Sequence, residues 1–330
     1  MSNPIQTTTK LGGTDSDVQI GTVAHGLMMM VWKPEVHSDE QCFESIKSGV
    51  DALPPGTKMF LNAGEFYSLD LGTANLELLS RFYATYPEYA SKTFLSVKGA
   101  MDKQMQPHGS LEFLRASVDN ITRALGPNKK MDLYQPARID RSIPLEELMA
   151  NLVTLKNEGK FDHIGLSEIT GATLRKAHAP VVVRTEDLLE ASKELGVSVI
   201  AYSPLGRGFL TGRFKSVSDL QADDFRRHLS RLKEKYFEHN MAIVDELSTI
   251  AKSVEVTNAQ LCIAWVKHLG PNVVPLPGSS KASRTLENLA AGEIKLSKED
   301  FAEITAIVEK SEVKGDRYFG KSEEAMGLWT

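Results

Sequence analysis

Short apolar runs alternate along this chain with longer segments whose apolar residues recur every three or four positions. The short runs are typical of buried β-strands, and the longer periodic segments are typical of amphipathic helices. We predict eight strands, at 23–29, 59–62, 93–98, 132–136, 163–167, 181–183, 197–202 and 273–276. We predict helices at 39–53, 73–86, 110–125, 145–158, 172–177, 185–195, 240–254, 258–269, 283–290 and 298–310.

This alternation favours a parallel sheet covered by helices. Eight strands are the number that closes a (β/α)8 barrel, so we predict an α/β fold of the TIM-barrel type. The segment 211–238 has no clear periodicity and is predicted to be a long loop with helical fragments. Its charged run at 223–235 is predicted to be a solvated face.

Polar chemistry follows the predicted strands at their carboxyl ends, which form the active-site face of barrel enzymes. The segments concerned are 62–67, 98, 137–138, 167–168, 202–208 and 277–280. Among them, Tyr67 and Lys98 suit proton transfer to a carbonyl oxygen. An ammonium group lowers the pKa of a neighbouring phenol towards working pH, so that the phenol can donate a proton in reduction or accept one in oxidation.

Composition narrows the function classes. A formal net charge of −5 gives no basic surface for nucleic acid. No apolar run approaches the ~18–20 residues of a membrane span. The two cysteines, Cys42 and Cys262, favour a reducing, cytoplasmic compartment.

The sequence lacks several motifs and linkers that would indicate other folds or sites. The sequence contains no GxGxxG, Walker A, HExxH or CxxC pattern, so neither a Rossmann fold nor a metal site is expected. No linker rich in Pro, Gly or Ser interrupts the chain, which favours one domain over residues 1–330.

Three segments together resemble the aldo-keto reductase family. They are 200–212 (IAYSPLGRGFLTG), 165–168 (GLSE) and 277–281 (PGSSK), the last followed by Arg284 and by Glu287 and Asn288. The resemblance extends over 27–318, and the segments 62–67, 135–140 and 315–318 look most like the fungal pyridoxal reductase branch. It implies a monomeric (β/α)8 reductase that uses NADPH to reduce a small carbonyl compound, pyridoxal, to pyridoxine.

The resemblance also implies catalytic roles. Tyr67 would protonate the carbonyl oxygen, and Lys98 would tune Tyr67. Asn62 stands where the family carries an aspartate, and we expect its amide to hydrogen-bond Lys98. Ala137 stands where the family carries a histidine, and it leaves room in the substrate pocket.

Cofactor roles follow from the matching motifs. Ser167 would hydrogen-bond the carboxamide of the nicotinamide. The pyrophosphate would be lined by Ser203, Leu205 and Gly208. The 2′-phosphate would be held by Ser280, Lys281 and Arg284, and the adenine would meet Glu287 and Asn288.

Further substrate-pocket candidates leave alternatives open. Met29 and Trp32 follow the first strand and either pack in the core or line the pocket, where methionine adapts to flat rings. Arg138 either pairs with Asp140 at the surface or faces the site, where it offers a cation to a pyridine ring or a phenolate.

The predicted sixth strand, 181–183, is short for this family, which normally carries a full strand and an aromatic stacking residue there. Either 181–183 is a shortened sixth strand with Arg184 near the cofactor, or the barrel is distorted. Two rival functions therefore stay open: a general aldehyde or ketone reductase, and a weakly catalytic NADP(H)-binding regulatory protein.

Overall fold

The computed structural model describes residues 5–13, 17–33, 37–178 and 188–317. Its strands are β1 (Thr8–Lys10), β2 (Gln19–Gly21), β3 (His25–Gly26), β4 (Met59–Gly64), β5 (Thr93–Gly99), β6 (Leu133–Pro136), β7 (His163–Ile164), β8 (Val199–Tyr202) and β9 (Val273–Leu276). Its α-helices are α1 (Asp39–Asp51), α2 (Ala74–Thr85), α3 (Leu111–Leu125), α4 (Leu145–Asn157), α5 (Gly171–His178), α6 (Leu188–Glu194), α7 (Glu234–Ser253), α8 (Asn258–His268), α9 (Ala282–Ala290) and α10 (Lys298–Lys310).

The main sheet is parallel and follows chain order from β3 to β7, while β8 and β9 form a second parallel pair. A seam joins β9 to β3, because the Ala24 N–H donates to the Pro275 carbonyl and the Gly26 N–H donates to the Pro277 carbonyl, both at 2.9 Å. The predicted α/β class and barrel architecture are confirmed. The predicted strand 181–183 lies outside the described residues.

Two apolar layers hold the strands in place. A small cluster inside the sheet is centred on Phe60 and Phe94, whose rings stack at 5.3 Å. A much larger cluster fills the space between the strands and the surrounding helices. Strands buried on both faces are typical of parallel sheets, which explains why their sequences are continuously apolar.

An N-terminal hairpin, β1 with β2, was absent from our predictions. It lies at the amino ends of the barrel strands, where the Lys58 N–H donates to the Gln19 carbonyl at 2.9 Å. Ile20 of this hairpin packs in the inner cluster with Phe60. The hairpin therefore closes the amino end, and the open face for chemistry is the carboxyl end.

Several predicted boundaries were wrong. The strand predicted at 23–29 is only two residues long and turns into a 3₁₀ helix at Met28–Met30. Strand β7 ends at Ile164, three residues before the predicted end at Ser167. In both places the chain leaves the sheet early to carry side chains across the barrel mouth, a tertiary requirement that apolar patterning does not record.

The segment 211–238 forms short 3₁₀ turns and then the start of α7. The prediction that 223–235 is a solvated face is wrong in part. Leu229 and Leu232 are buried in a cluster with Phe209 and Phe237. These two leucines fix the charged run against the barrel mouth, since burying them offsets the cost of ordering the loop.

Helix α3 shows how local sequence sets an element that later serves the site. Its N-cap, Ser110, accepts a hydrogen bond from the Phe113 N–H at 3.3 Å. Its apolar face contributes Leu114, Val118 and Ile121 to the main core. No helix in the described ranges has the length and apolar character needed to cross a membrane.

Candidate functional site

Tyr67 and Lys98 meet at the mouth of the barrel, as predicted. Gly64 at the end of β4 pairs in register with Lys98 on β5, and Lys98 Nζ donates a hydrogen bond to Tyr67 Oη at 3.3 Å. A Cβ atom at Gly64 would lie 2.7 Å from the Tyr67 ring. Glycine therefore lets the tyrosine fold back over the strand end, where only 6% of the residue stays exposed.

A buried polar layer lies beneath this pair. The Asn62 amide donates to Ser96 Oγ at 3.2 Å, and the Gln135 amide donates to the same oxygen at 3.0 Å. The predicted hydrogen bond from Asn62 to Lys98 does not form among the described residues. Strand register places the Asn62 amide beside Ser96 instead. Asn62 supports the floor of the site rather than the ammonium group.

An apolar wall flanks Tyr67. Phe66, Tyr67 and Ala137 form one buried cluster, and the Trp32 ring lies 5.7 Å from the Tyr67 ring. Trp32 is thus at the predicted pocket. Met29 is not a member of this cluster in the described structure, whereas Met28 packs against it. Successive side chains of a 3₁₀ turn point in different directions, about a third of a turn apart, so neighbouring methionines do not share one face.

Arg138 faces the site and pairs with a carboxylate that the sequence analysis did not assign. Its Nη2 lies 3.1 Å from Glu168 Oε1, and its Nη1 donates to the Ala137 carbonyl at 2.6 Å. Asp140, the other candidate partner, accepts from the Gly109 N–H and from Ser142.

Glu168 is an unusual residue. Its side chain is 6% exposed, its φ of 57° is left-handed, and its Oε2 has no hydrogen-bond partner among the described residues. A buried acceptor of this kind costs free energy unless a donor reaches it. It follows Ser167, which is also buried, so the two side chains can present one hydroxyl and one free carboxylate oxygen to an amide.

Tyr202 is a site residue to which the sequence analysis gave no role. Lys98 Nζ lies 5.7 Å from the centre of its ring, and the Arg317 guanidinium carbon lies 5.2 Å from it. Arg317 also hydrogen-bonds the Tyr202 hydroxyl. This flat ring supplies an aromatic surface beside Tyr67 and Lys98. The sequence signal for it was an aromatic residue that ends a strand just before Ser203.

The loop after Tyr202 is built for close backbone approach. Ser203 and Gly208 both have positive φ, 55° and 91° respectively, a conformation that glycine adopts without strain. A Cβ at Gly208 would lie 3.2 Å from Arg226 Nη1, and Arg226 donates to the Arg207 carbonyl at 3.2 Å. Leu205 is half-buried in this loop. The predicted pyrophosphate residues therefore share one loop, with Arg226 as an unpredicted cation beside it.

The residues predicted for the 2′-phosphate and adenine lie at the start of α9 and within it. Ser280 Oγ contacts His37 Nε2 at 2.6 Å. Lys281 is the N-cap residue, and Arg284 is in the first turn. Glu287 accepts from Arg213 at 3.1 Å, and Asn288 is buried.

The charges around the start of α9 favour the binding of an anion. Burial is the main cause that lowers the pKa of Arg284, and the nearby cations Arg213 and Arg226 lower it further. Crowded cations at a helix start also oppose the helix dipole. A phosphate dianion would relieve both, so the donor set fits the 2′-phosphate of a dinucleotide.

Comparisons with known proteins agree with this geometry. A profile of the Aldo/keto reductase family matches residues 22–309. The "Probable pyridoxal reductase 2" of Schizosaccharomyces pombe is 32% identical, over 94% of this chain and 98% of that protein. "Aldo-keto reductase str7" of Strobilurus tenacellus is 35% identical, over 68% of this chain and 71% of that protein.

Solved structures show the same fold. The glycerol dehydrogenase AKR11B4 from Gluconobacter oxydans superposes with a TM-score of 0.75 at 21% identity, covering 92% of this chain and 95% of that one. The chain therefore belongs to the aldo-keto reductase family, whose members are oxidoreductases that act on small carbonyl compounds with a nicotinamide dinucleotide.

Proposed function

We propose that this protein is an NADPH-dependent reductase that converts pyridoxal to pyridoxine. The observation that carries the proposal is the contact of Lys98 Nζ with Tyr67 Oη, 3.3 Å, at the carboxyl end of a parallel barrel. The choice of pyridoxal is supported by the similarity to the pyridoxal reductase of Schizosaccharomyces pombe over nearly the whole of both chains.

The cofactor would lie across the barrel mouth. Ser167 and Glu168 would meet the carboxamide, and the loop with Ser203, Leu205 and Gly208 would follow the pyrophosphate. The 2′-phosphate would lie among Ser280, Lys281 and Arg284, with the adenine beside Glu287 and Asn288. When bound, NADPH supplies a hydride to the carbonyl carbon.

The chain's own residues handle the proton and the orientation of the substrate. Tyr67 Oη would donate its proton to the carbonyl oxygen, and the Lys98 ammonium would stabilise the phenolate that remains. Ala137 leaves space for ring substituents beside Tyr67, and Trp32 offers a flat apolar wall. Arg138 would face the phenolate oxygen of pyridoxal.

We also propose that residues 1–330 act as one catalytic domain and as a monomer. The support is that one chain supplies the whole candidate site, from Trp32 near the amino end to Arg317 near the carboxyl end.

The first test replaces the proposed acid. Tyr67→Phe should lower the kcat for pyridoxal by about 10²–10⁴-fold, the range expected for general acid catalysis. The Kd for NADPH, measured from the quenching of tryptophan fluorescence, should stay unchanged because the aromatic ring of residue 67 remains. Tyr236→Phe on α7 is the matched control and should retain full turnover.

The same assay separates the alternatives. Turnover by the Tyr67→Phe variant within a few-fold of the wild type would show that the acid is wrongly assigned. If pyridoxal has no advantage over benzaldehyde, the enzyme is a general aldehyde reductase. Binding of NADPH with no turnover of any carbonyl would favour a regulatory protein.

A further inference from the structure

Glu65 connects the segments that carry the two proposed catalytic residues, and the proposed mechanism gives it no role. It is the first residue after β4 and stands two positions before Tyr67. Its backbone N–H donates to the Lys98 carbonyl at 2.8 Å. The backbone of one residue thus ties the loop that carries the acid to the strand that carries the lysine.

The side chain of Glu65 makes a second connection. Its carboxylate accepts from Ser117 Oγ at 2.5 Å and from the Asn120 amide at 2.8 Å. The link to β5 runs through Ser117, whose Oγ accepts from the backbone N–H of Ala100, two residues after Lys98. Ser117 and Asn120 are three positions apart and share one face of α3, so the helix anchors both strand ends through one carboxylate.

The strand end that receives this contact is strained. Ala100 has a left-handed φ of 63°, which is uncommon for a residue other than glycine. Its N–H donates to Ser117 Oγ at 3.2 Å, and Ser117 Oγ in turn donates to the Glu65 carboxylate. Through Ser117, Glu65 therefore holds the turn that follows Lys98 in a conformation that it would not choose alone.

The surroundings of Glu65 make its charge state consequential. Burial raises the pKa of Glu65, although the hydrogen bonds from Ser117 and Asn120 and the charge of Lys103 oppose that shift. The other titratable group in this network is Tyr134, whose hydroxyl lies 3.0 Å from Ser117 Oγ. Burial raises the pKa of Tyr134 too, so it stays neutral over the working range.

We propose that Glu65 is a positioning residue, whose carboxylate sets the separation of Tyr67 Oη and Lys98 Nζ. This inference rests on the proposed function for its catalytic consequence. Without a carboxylate to accept from Ser117 and Asn120, the Ala100 turn and the loop before Tyr67 could shift independently. The lysine would then no longer lie where the phenolate forms, and small misplacements of this kind are costly in rate.

The test compares Glu65→Gln with Glu112→Gln, which changes an exposed glutamate on α3, the helix that Glu65 contacts. Glu65→Gln should lower kcat about tenfold for both pyridoxal and 4-nitrobenzaldehyde. KM and the Kd for NADPH should stay within about twofold, because Glu65 touches neither proposed binding surface. Glu112→Gln should match the wild type in every respect.

The pH profile gives a readout that a general loss of packing would not produce. The wild-type kcat should fall in acid as Glu65 takes up a proton, at a pH above the usual carboxyl range. The glutamine variant cannot take up that proton, so its low kcat should stay flat over the same window. An unchanged kcat, or an unchanged acid limb in the variant, would overturn the inference.

Crystal structures of the wild type and of Glu65→Gln separate this inference from the proposed function. An increased Tyr67 Oη to Lys98 Nζ distance in the variant supports positioning even if no carbonyl is reduced. The same distance in both structures contradicts it, whatever the enzyme's substrate. If Glu65→Gln does not fold, Asn120→Ala removes one donor and should produce a smaller change in the same direction.

Discussion

At the scale of single residues, Oε2 of Glu168 favours a ligand that can donate an N–H to it. An unpaired buried acceptor costs about 1–3 kcal/mol, and Oε2 of Glu168 is such an atom within the part of the chain that the structure describes. The side chain is held in place by Arg138, so it cannot turn away to satisfy itself. A ligand N–H that reaches this oxygen would recover that free energy.

We therefore expect Glu168→Gln to weaken binding of NADP⁺ about tenfold, since one acceptor is replaced by a donor. The analogue with 3-acetylpyridine in place of nicotinamide lacks the amide N–H. It should bind the wild type more weakly than NADP⁺ and should be unaffected by the substitution. Fluorescence titration measures both, with Glu190→Gln on α6 as the exposed control.

If Glu168→Gln weakens both dinucleotides equally, the carboxylate acts through the fold and not through the amide. If it weakens neither, the free oxygen serves another donor. Each outcome is visible in binding alone and does not depend on turnover.

Residue identity was the most predictable level of the site, and side-chain partners were the least. Tyr67 and Lys98 were predicted to meet, and they do. Asn62 was assigned to Lys98 but donates to Ser96. The choice between these partners depends on strand register and rotamer, and the type of a residue specifies neither.

At the scale of elements, the start of α9 concentrates positive charge where a helix favours negative charge. Lys281 is its N-cap residue and Arg284 lies in its first turn, and Arg213 and Arg226 approach from the segment 211–233. The first pair was predicted from the sequence, whereas the run 223–235, which contains Arg226, was predicted to be a solvated face. Only packing of that segment on Phe209 and Phe237 brings its arginines to the same end.

Charge removal at Arg284 should therefore lower the preference for NADPH over NADH. A hydrogen bond to a charged group contributes about 1.5–3 kcal/mol, so Arg284→Gln should raise the Kd for NADPH roughly 10–100-fold. The Kd for NADH should change little, because that dinucleotide lacks the 2′-phosphate. Titration of both cofactors measures the ratio, and the exposed Lys295→Gln is the control.

An equal loss of affinity for both cofactors would place Arg284 elsewhere on the dinucleotide. An unchanged preference for NADPH over NADH would indicate that Lys281 and Ser280 bind the 2′-phosphate without Arg284.

At the scale of the whole molecule, the seam between β3 and β9 joins the first and last strands of the barrel. His25 lies in this seam, fully buried, with Nε2 donating to the Ser279 carbonyl at 3.0 Å. Its Nδ1 has no partner in the described structure. Burial lowers the pKa of His25 below its ordinary value of 6.5, although the contact with Ser279 opposes the shift.

This shift predicts the direction of acid sensitivity. The unfolded chain binds a proton on His25 below about pH 6.5, whereas the folded protein resists protonation. The free energy of unfolding should therefore be highest above pH 6.5 and fall as the pH drops from 7.5 to 5.5. Urea unfolding at both values should show a smaller fall for His25→Asn than for the wild type.

The exposed His239→Asn on α7 is the matched control and should keep the wild-type pH dependence. If the free energy of unfolding depends on pH equally in His25→Asn and the wild type, protonation of His25 does not destabilise the seam.

The sequence by itself determined the alternation of the described barrel strands and helices, the barrel class and the meeting of Tyr67 with Lys98. Tyr67 and Lys98 are 31 residues apart, but each follows or ends its own strand, and apolar patterning marks a strand end within a few residues. The tertiary structure alone decided the pairing of Arg138 with Glu168 and of Glu65 with α3. Those partners are some 30 and 50 residues apart, and they meet only because register and helix packing bring separate strand ends to one mouth.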